Sequence, residues 1–183
     1  EAETSLGWIE LVACNYRGDY DLSSHMKVSG KDLTVIDNGE KIIPHVFELS
    51  MGVDRSIYTV IEHNYLETQN RRVLKLPYFL APIQVAVFPL VSKDGLPEKA
   101  VKIYEMIKLD FDSVFDDKGD IGRRYRKMDE VGTPVCITVD YQTLKDDTVT
   151  IRDRDTMAQR RVHVSELRET LLSILSTAHR HGV

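Results

Sequence analysis

From residue 83 onward, short apolar runs alternate with stretches of helical apolar spacing, and that alternation restricts this part of the chain to one fold class. Residues 83–90 read as a strand closed by the turn cluster Ser92-Lys93-Asp94-Gly95. Residues 96–109 read as a helix with Pro97 in its first turn, where the missing N–H has no intrahelical partner to lose. Its expected buried side is Val101, Ile103, Tyr104 and Ile107. A short strand follows at 112–116. Asp120 is placed to cap a helix that runs to Val131 and that Gly132 ends. Residues 134–139, 148–154 and 160–164 read as strands, the last two separated by a turn at Asp155-Thr156-Met157. Ser165 is expected to cap a final helix with the stripe Leu167, Leu171, Ile174, Leu175 and Ala178. The order β-α-β-α-β-β-β-α predicts an α/β domain over residues 79–183, its helices packed on a mixed sheet.

Charge separates this region from what precedes it. Residues 1–65 hold five Lys and Arg against eleven Asp and Glu, whereas residues 66–183 hold nineteen against eighteen. The boundary is expected in a linker at 66–78, where Thr68-Gln69-Asn70-Arg71-Arg72 is polar and lacks helical period. A net charge of -5 excludes a global basic field for indiscriminate binding of nucleic acid or membrane. The most apolar stretch, residues 78–91, is broken by Pro82, Gln84 and Pro89 and is too short to span a bilayer. Two distant cysteines, Cys14 and Cys136, are no disulfide framework, so a reducing cytoplasm is the expected compartment. The chain begins at Glu1 without methionine or a signal segment and is expected to be a piece of a longer protein.

Within residues 1–65, the stretch 6–14 reads as a strand with Trp8, Glu10 and Val12 on one face and Ile9, Leu11 and Ala13 on the other. A carboxylate amid large apolar groups is unusual, because burying it unpaired costs several kcal/mol. A second strand at 42–50 carries Glu48 and Ser50, two apart and so about 7 Å apart on one face. Met51-Gly52-Val53-Asp54-Arg55 opens a helix with Val53, Ile57, Val60 and Ile61 at helical spacing. Carboxylates on that face can grip a small ammonium or hold Mg²⁺ on a polyphosphate. Gly52 leaves room for a ligand, and Arg55 at a helix start suits a phosphate or a planar base. Spacing alone leaves a plainer reading open: Glu48 paired with a lysine, Ser50 capping the helix and Arg55 on the surface. His25, His45 and His63 lack metal-ligand spacing and are expected to be structural or exposed.

The stretch Gly7-Trp8-Ile9-Glu10-Leu11, with Tyr20-Asp21-Leu22-Ser23 and His25, resembles the late catalytic core of glycyl-tRNA synthetases, a class II aminoacyl-tRNA synthetase family. Residues 43–55, which contain Glu48-Leu49-Ser50-Met51-Gly52-Val53-Asp54-Arg55, resemble that family's third class II signature. Gly119-Asp120-Ile121-Gly122-Arg123-Arg124-Tyr125, Asp129-Glu130-Val131-Gly132-Thr133-Pro134 and Arg152-Asp153-Arg154-Asp155-Thr156-Met157 resemble its anticodon-binding domain. The resemblance implies the end of an antiparallel-sheet catalytic core over residues 1–65, followed by the anticodon-binding domain. It implies ATP contact by Glu10, Leu11, Gly52, Val53, Asp54 and Arg55, with Glu10 helping to hold Mg²⁺. Glu48 and Ser50 would bind the amino group of glycine. The family's usual Glu-Pro-Ser is here Glu48-Leu49-Ser50, which removes the backbone preset a proline gives. The implied partners are glycine, ATP and tRNA(Gly), with a homodimeric parent and neither membrane nor DNA. The chemistry, attack of a carboxylate on a phosphate and then acyl transfer, needs positioning and charge neutralisation, so no catalytic nucleophile is expected. Nothing here resembles the first and second class II signatures, and the chain alone is expected to be inactive.

On a helical wheel of residues 120–131, Ile121, Tyr125, Met128 and Val131 form the apolar stripe. Arg123, Arg126 and Lys127 fall opposite, with Arg124 at the edge. Alternation in 148–154 sends Thr150, Arg152 and Arg154 to one face, and Val149, Ile151 and Asp153 to the other. Arg123, Arg124, Arg126, Lys127, Arg152 and Arg154 are therefore the candidate tRNA contacts, a solvated face tied by weak ion pairs being the plain alternative. Two other functions compete. One is a non-catalytic relative, such as the accessory subunit of a DNA polymerase, which has no need of Glu10, Glu48, Ser50 and Arg55 together. The other is a threonyl, prolyl or histidyl sister enzyme, against which the 8–22 and 48–55 segments argue.

Overall fold

The computed structural model describes residues 1–177, so Ala178 and the tail to Val183, to which no role is assigned, lie outside the described residues. The chain separates into two compact units, residues 1–63 and residues from Asn64 onward.

In the first unit, β1 (Ala2–Thr4) and β2 (Gly7–Ile9) pair antiparallel, as do β3 (Val12–Gly18) and the later β6 (Val46–Met51). Between these lie α1 (Tyr20–Ser29), β4 (Val35–Asp37) and β5 (Glu40–Ile42). The β4–β5 hairpin turns through Asn38 and Gly39 at φ 50° and 84°, the left-handed pair that a two-residue turn requires. Helix α2 (Val53–Asn64) follows β6 directly. Helix α1 went unread because it buries no residue and so carries no apolar stripe. Glu10 is not mid-strand: it lies with Leu11 in the break between β2 and β3. Thr59 is the one buried residue among the described residues of this unit, while Phe47, Leu49, Met51, Val53 and Ile57 stay exposed. Two-stranded ribbons supply no core of their own.

The second unit opens with β7 (Tyr65–Glu67) and β8 (Arg72–Leu74), an antiparallel pair. The stretch expected as a linker is thus a hairpin, its polar residues forming a turn in which Thr68 N–H donates to Arg71 O at 2.8 Å. Val73 and Leu76 are buried, which a free connector would not be. A main sheet follows, built from β9 (Val85–Pro89), β10 (Ser113–Phe115), β11 (Val135–Val139), β12 (Thr148–Asp153) and β13 (Gln159–His163) in the order β10-β9-β11-β12-β13. The first three strands are parallel and the last two join antiparallel. Helix α3 (Leu96–Ile107) connects β9 to β10, and α4 (Ile121–Val131) returns from β10 to β11 on the other side of β9. Right-handed crossovers in opposite directions put the two helices on opposite faces of the sheet.

The two faces make two cores. Val85, Val87, Val135, Ile137, Val149 and Ile151 meet α3 and α6 (Leu167–Thr177) through Leu96, Ile103, Leu167 and Leu171. Ala86, Phe88 and Cys136 lie under Met128 of α4. Strands β9 and β11 are therefore buried along their whole length, as inner parallel strands are. Two local expectations are corrected and one helix is added. Val101 is 40% exposed, beside rather than within the buried stripe of α3. A short α5 (Thr143–Asp146) precedes β12. His163, not Ser165, caps the turn before α6, its Nδ1 accepting from Ser165 N–H. Among the described residues no helix is long and apolar enough to cross a membrane.

Candidate functional site

In the first unit the break after β2 and the start of α2 are drawn together. Gly52 N–H donates to Leu11 O at 3.0 Å. Arg55 Nη1 donates to Glu10 O at 3.0 Å and lies 3.9 Å from Glu10 Oε1. Gly52 makes room for this: a Cβ there would sit 3.3 Å from Arg55 Cδ. Both charged side chains remain more than half exposed, so the pair is open to a ligand. Its own Coulomb energy is small in water, which leaves the guanidinium free to be shared with an anion. Asp54 and Val53 begin the same helix, both exposed.

Glu48 and Ser50 lie on the β3–β6 ribbon, opposite Asn15 and Ala13. Asn15 Nδ2 donates to Glu48 Oε1 at 3.3 Å, and Arg17 Nε lies 3.5 Å from Glu48 Oε2. Glu48 is thus paired with an arginine rather than a lysine. Arg17 went unnoticed in the sequence, although its spacing to Asp21 was the available signal: its guanidinium is forked onto that carboxylate at 2.6 and 2.8 Å. No hydrogen bond or ion pair among the described residues joins Glu48 or Ser50 to the Glu10–Arg55 pair. Two adjoining clusters result, one around Glu10, Leu11, Gly52 and Arg55 and one around Glu48, Asn15 and Arg17. No group of three or more His, Cys, Asp or Glu suited to a metal ion occurs among the described residues. A single exposed carboxylate such as Glu10 fits a Mg²⁺ whose other ligands come from a polyphosphate and water.

In the second unit, Asp120 caps α4 by accepting from Arg123 N–H at 2.8 Å, a bond that holds its carboxyl below the usual range. Arg123, Arg126 and Lys127 point outward, as the wheel predicted. Lys127 also reaches Asp116 at 3.0 Å.

The other three basic residues are corrected. Arg124 is 2% exposed and donates to the carbonyls of Pro89, Leu90, Asp116 and Gly119, joining the end of β9 to the loop before α4. Arg154 is 1% exposed and holds the carbonyls of Leu74, Leu76 and Gly132, so that it staples the hairpin to the end of α4. Arg152 is 7% exposed, forked onto Asp129 at 2.9 and 3.1 Å, with its guanidinium 4.9 Å from the Tyr125 ring centre. Alternation had correctly sent Arg152 and Arg154 to one face, but α4 and the hairpin cover that face. Asp129 also accepts from Arg71 Nε at 2.9 Å. Asp129 and Arg71 were missed, and the signal was a carboxylate next to Met128 on the inward side of α4, where a cation must meet it.

Comparison with known proteins bears on both units. Residues 84–174 match the family described as Anticodon binding domain. The chain is 45% identical over 174 residues to the glycine–tRNA ligase of Mycoplasma mycoides, covering 91% of this chain and 38% of that protein. It is 46% identical over 168 residues to the enzyme of that name from Clostridium tetani, and 47% identical over 167 residues to that from Caldanaerobacter subterraneus. Each of these two matches covers 88% of this chain and 36% of the relative. The chain therefore spans less than two-fifths of the length of these relatives.

Proposed function

Because the chain belongs to the glycyl-tRNA synthetase family and carries its anticodon-binding domain, we propose that it forms part of a cytoplasmic glycine–tRNA ligase, which activates glycine with ATP and esterifies tRNA(Gly). The competing reading as a non-catalytic polymerase accessory subunit is not favoured, since the relatives at this identity are ligases by name. In the proposed reading Glu48 and Ser50 bind the ammonium of glycine. Arg55 takes a phosphate or stacks on adenine, with Gly52, Val53, Asp54 and Leu11 lining that end of the pocket. Glu10 holds Mg²⁺, which would neutralise charge on the ATP phosphates. These groups act by position and charge, and none is a nucleophile. The parent is proposed to be a homodimer.

The observation that carries the tRNA part is the outward face of α4. Arg123, Arg126 and Lys127 are exposed there, while Arg124, Arg152 and Arg154 are occupied inside the domain. Phosphate contacts of this kind give salt-dependent affinity, each contributing about one to the slope of log affinity against log salt. The test is a salt titration of tRNA(Gly) binding by the full chain and by its Arg123→Ala/Arg126→Ala/Lys127→Ala variant. A slope lower by about two to three in the variant is expected; an unchanged slope would remove α4 from the interface. In the longer ligase, Glu48→Gln is expected to raise KM for glycine by about tenfold or more while leaving KM for ATP unchanged, consistent with loss of a charged hydrogen bond. An unchanged glycine KM would displace Glu48 from that role.

A further inference from the structure

Strand β3 carries one residue more than its partner needs. Its register against β6 passes from Tyr16 opposite Phe47 to Gly18 opposite Val46, so Arg17 is the extra residue of a β-bulge. Gly18 stands at φ 58°, in the left-handed region that glycine enters without penalty. Bulges re-aim a side chain, and the one re-aimed here is a guanidinium. Helix α1 begins at Tyr20, and its first turn brings Asp21 onto the arginine four positions earlier. That helix buries no residue, so apolar packing does not account for its place.

Arg17 is gripped on one side and reaches out on the other. Its Nε and Nη2 donate to the two Asp21 oxygens at 2.6 and 2.8 Å, and the Tyr20 ring centre lies 5.9 Å from the guanidinium carbon. The fork holds the Asp21 carboxyl below its usual range, so it is charged at neutral pH. Across the ribbon Arg17 Nε lies 3.5 Å from Glu48 Oε2, while Asn15 Nδ2 donates to Glu48 Oε1 at 3.3 Å. A carboxylate offers about four lone-pair positions, so two contacts of this length leave Glu48 able to accept from an ammonium. Ion pairs as open to water as these add little to stability. Two carboxylates against one guanidinium leave the cluster one net negative charge. Asp21 takes up the charge of the arginine, and Glu48 keeps its own for a cation.

We propose that Arg17 is the positioning residue of Glu48, aiming its carboxylate at the ammonium of the amino acid, and that Asp21 prevents the arginine from cancelling the charge the ammonium requires. The inference rests on the assignment of Glu48 to glycine above and adds the pair that sets its direction and charge. Neither Arg17 nor Asp21 touches the amino acid; both act through Glu48.

The test measures KM for glycine and for ATP in ATP–pyrophosphate exchange by the longer ligase. It compares Arg17→Ala, Asp21→Asn, Glu48→Gln and Arg17→Ala/Glu48→Gln with the natural enzyme, and thermal midpoints check folding. Arg17→Ala is expected to raise the glycine KM about fivefold or more and to leave the ATP KM within about twofold, as a loss confined to amino-acid binding requires. Asp21→Asn is expected to raise the glycine KM about threefold or more, because the released guanidinium then neutralises Glu48; an unchanged value would strike Asp21 from the account. In the Glu48→Gln background, Arg17→Ala is expected to add less than about twofold, since its effect passes through a carboxylate already gone. A role in local folding would instead give the same loss in both backgrounds, or raise both KM values together, and either result would overturn the proposal. So would an unchanged glycine KM in Arg17→Ala beside a raised one in Glu48→Gln, an outcome that leaves Glu48 on glycine. A Glu48→Gln enzyme with the natural glycine KM would remove that assignment, and this inference with it.

Discussion

Arg154 and Arg123 are the same residue type in the same unit, and their surroundings give them opposite work. Three carbonyl oxygens depend on Arg154. Arg154→Ala would strip them of their donor in a buried place, and a loss of about 3 kcal/mol or more in urea unfolding is expected. Arg123→Ala is expected to change stability by about 0.5 kcal/mol or less and to weaken tRNA binding; the reverse pattern would exchange their assignments. The cysteines divide in the same way. Burial pushes the Cys136 thiol up to about 12, while Cys14 is exposed. Iodoacetamide at pH 8 is therefore expected to label Cys14 and spare Cys136 in the folded chain, as peptide mapping would show. At this scale the sequence revealed residue types and faces but not occupancy. Alternation placed Arg152 and Arg154 together, yet only the packing of α4 and the hairpin over that face explains why neither is free.

At the scale of elements, the end of α4 forms a tight joint with the hairpin of the second unit. Gly132 stands at φ 88°, and a Cβ there would lie 2.9 Å from Leu74 O. Gly132→Ala combines left-handed strain, about 1–2 kcal/mol, with a clash against backbone that the hairpin cannot easily yield. A loss of about 2 kcal/mol or more in urea unfolding is expected, and a neutral result would mean that the hairpin is not docked there. Elements with capping and apolar period were legible in the sequence: α3, α4 and the strands of the main sheet. Those without such signals were not. Helix α1 lies exposed, α5 is four residues long, and the β7–β8 hairpin carries a polar turn that looks like a linker until Val73 and Leu76 are seen to be buried.

Across the whole molecule the two units differ in how they are held. The second unit has cores on both faces of its sheet, whereas among the described residues of the first only Thr59 is buried. Hydrogen exchange of the intact chain is expected to show β3 and β6 exchanging faster than β9 and β11, since opening costs less where little apolar surface is lost. Equal protection would show an independent core in the first unit. Acid is expected to act on the second unit. A salt bridge from Arg161 lowers the Asp140 carboxyl, bonds from Gln142 and Thr148 hold Asp146 at about 2, and at Asp153 bonds from Thr156 and Tyr78 outweigh a burial that opposes its charge. Carboxyls held below their unfolded value stabilise the fold above about pH 4, and that contribution is lost as pH falls toward 2. The urea midpoint of the second unit is thus expected to be lower at pH 3 than at pH 7, and an unchanged midpoint would contradict these shifts. The candidate site was legible because Glu10, Glu48, Ser50 and Arg55 stand in motif order, though spacing could not reveal that Glu10 and Arg55 form one cluster and Glu48 another with Arg17.

The most direct measurement is filter binding of the intact chain to tRNA(Gly) and to the same tRNA with each anticodon base replaced in turn. A domain that reads the anticodon should bind tRNA(Gly) and lose about fivefold or more for at least one replacement, the worth of about 1 kcal/mol of base contact. Equal affinity for every anticodon would contradict it.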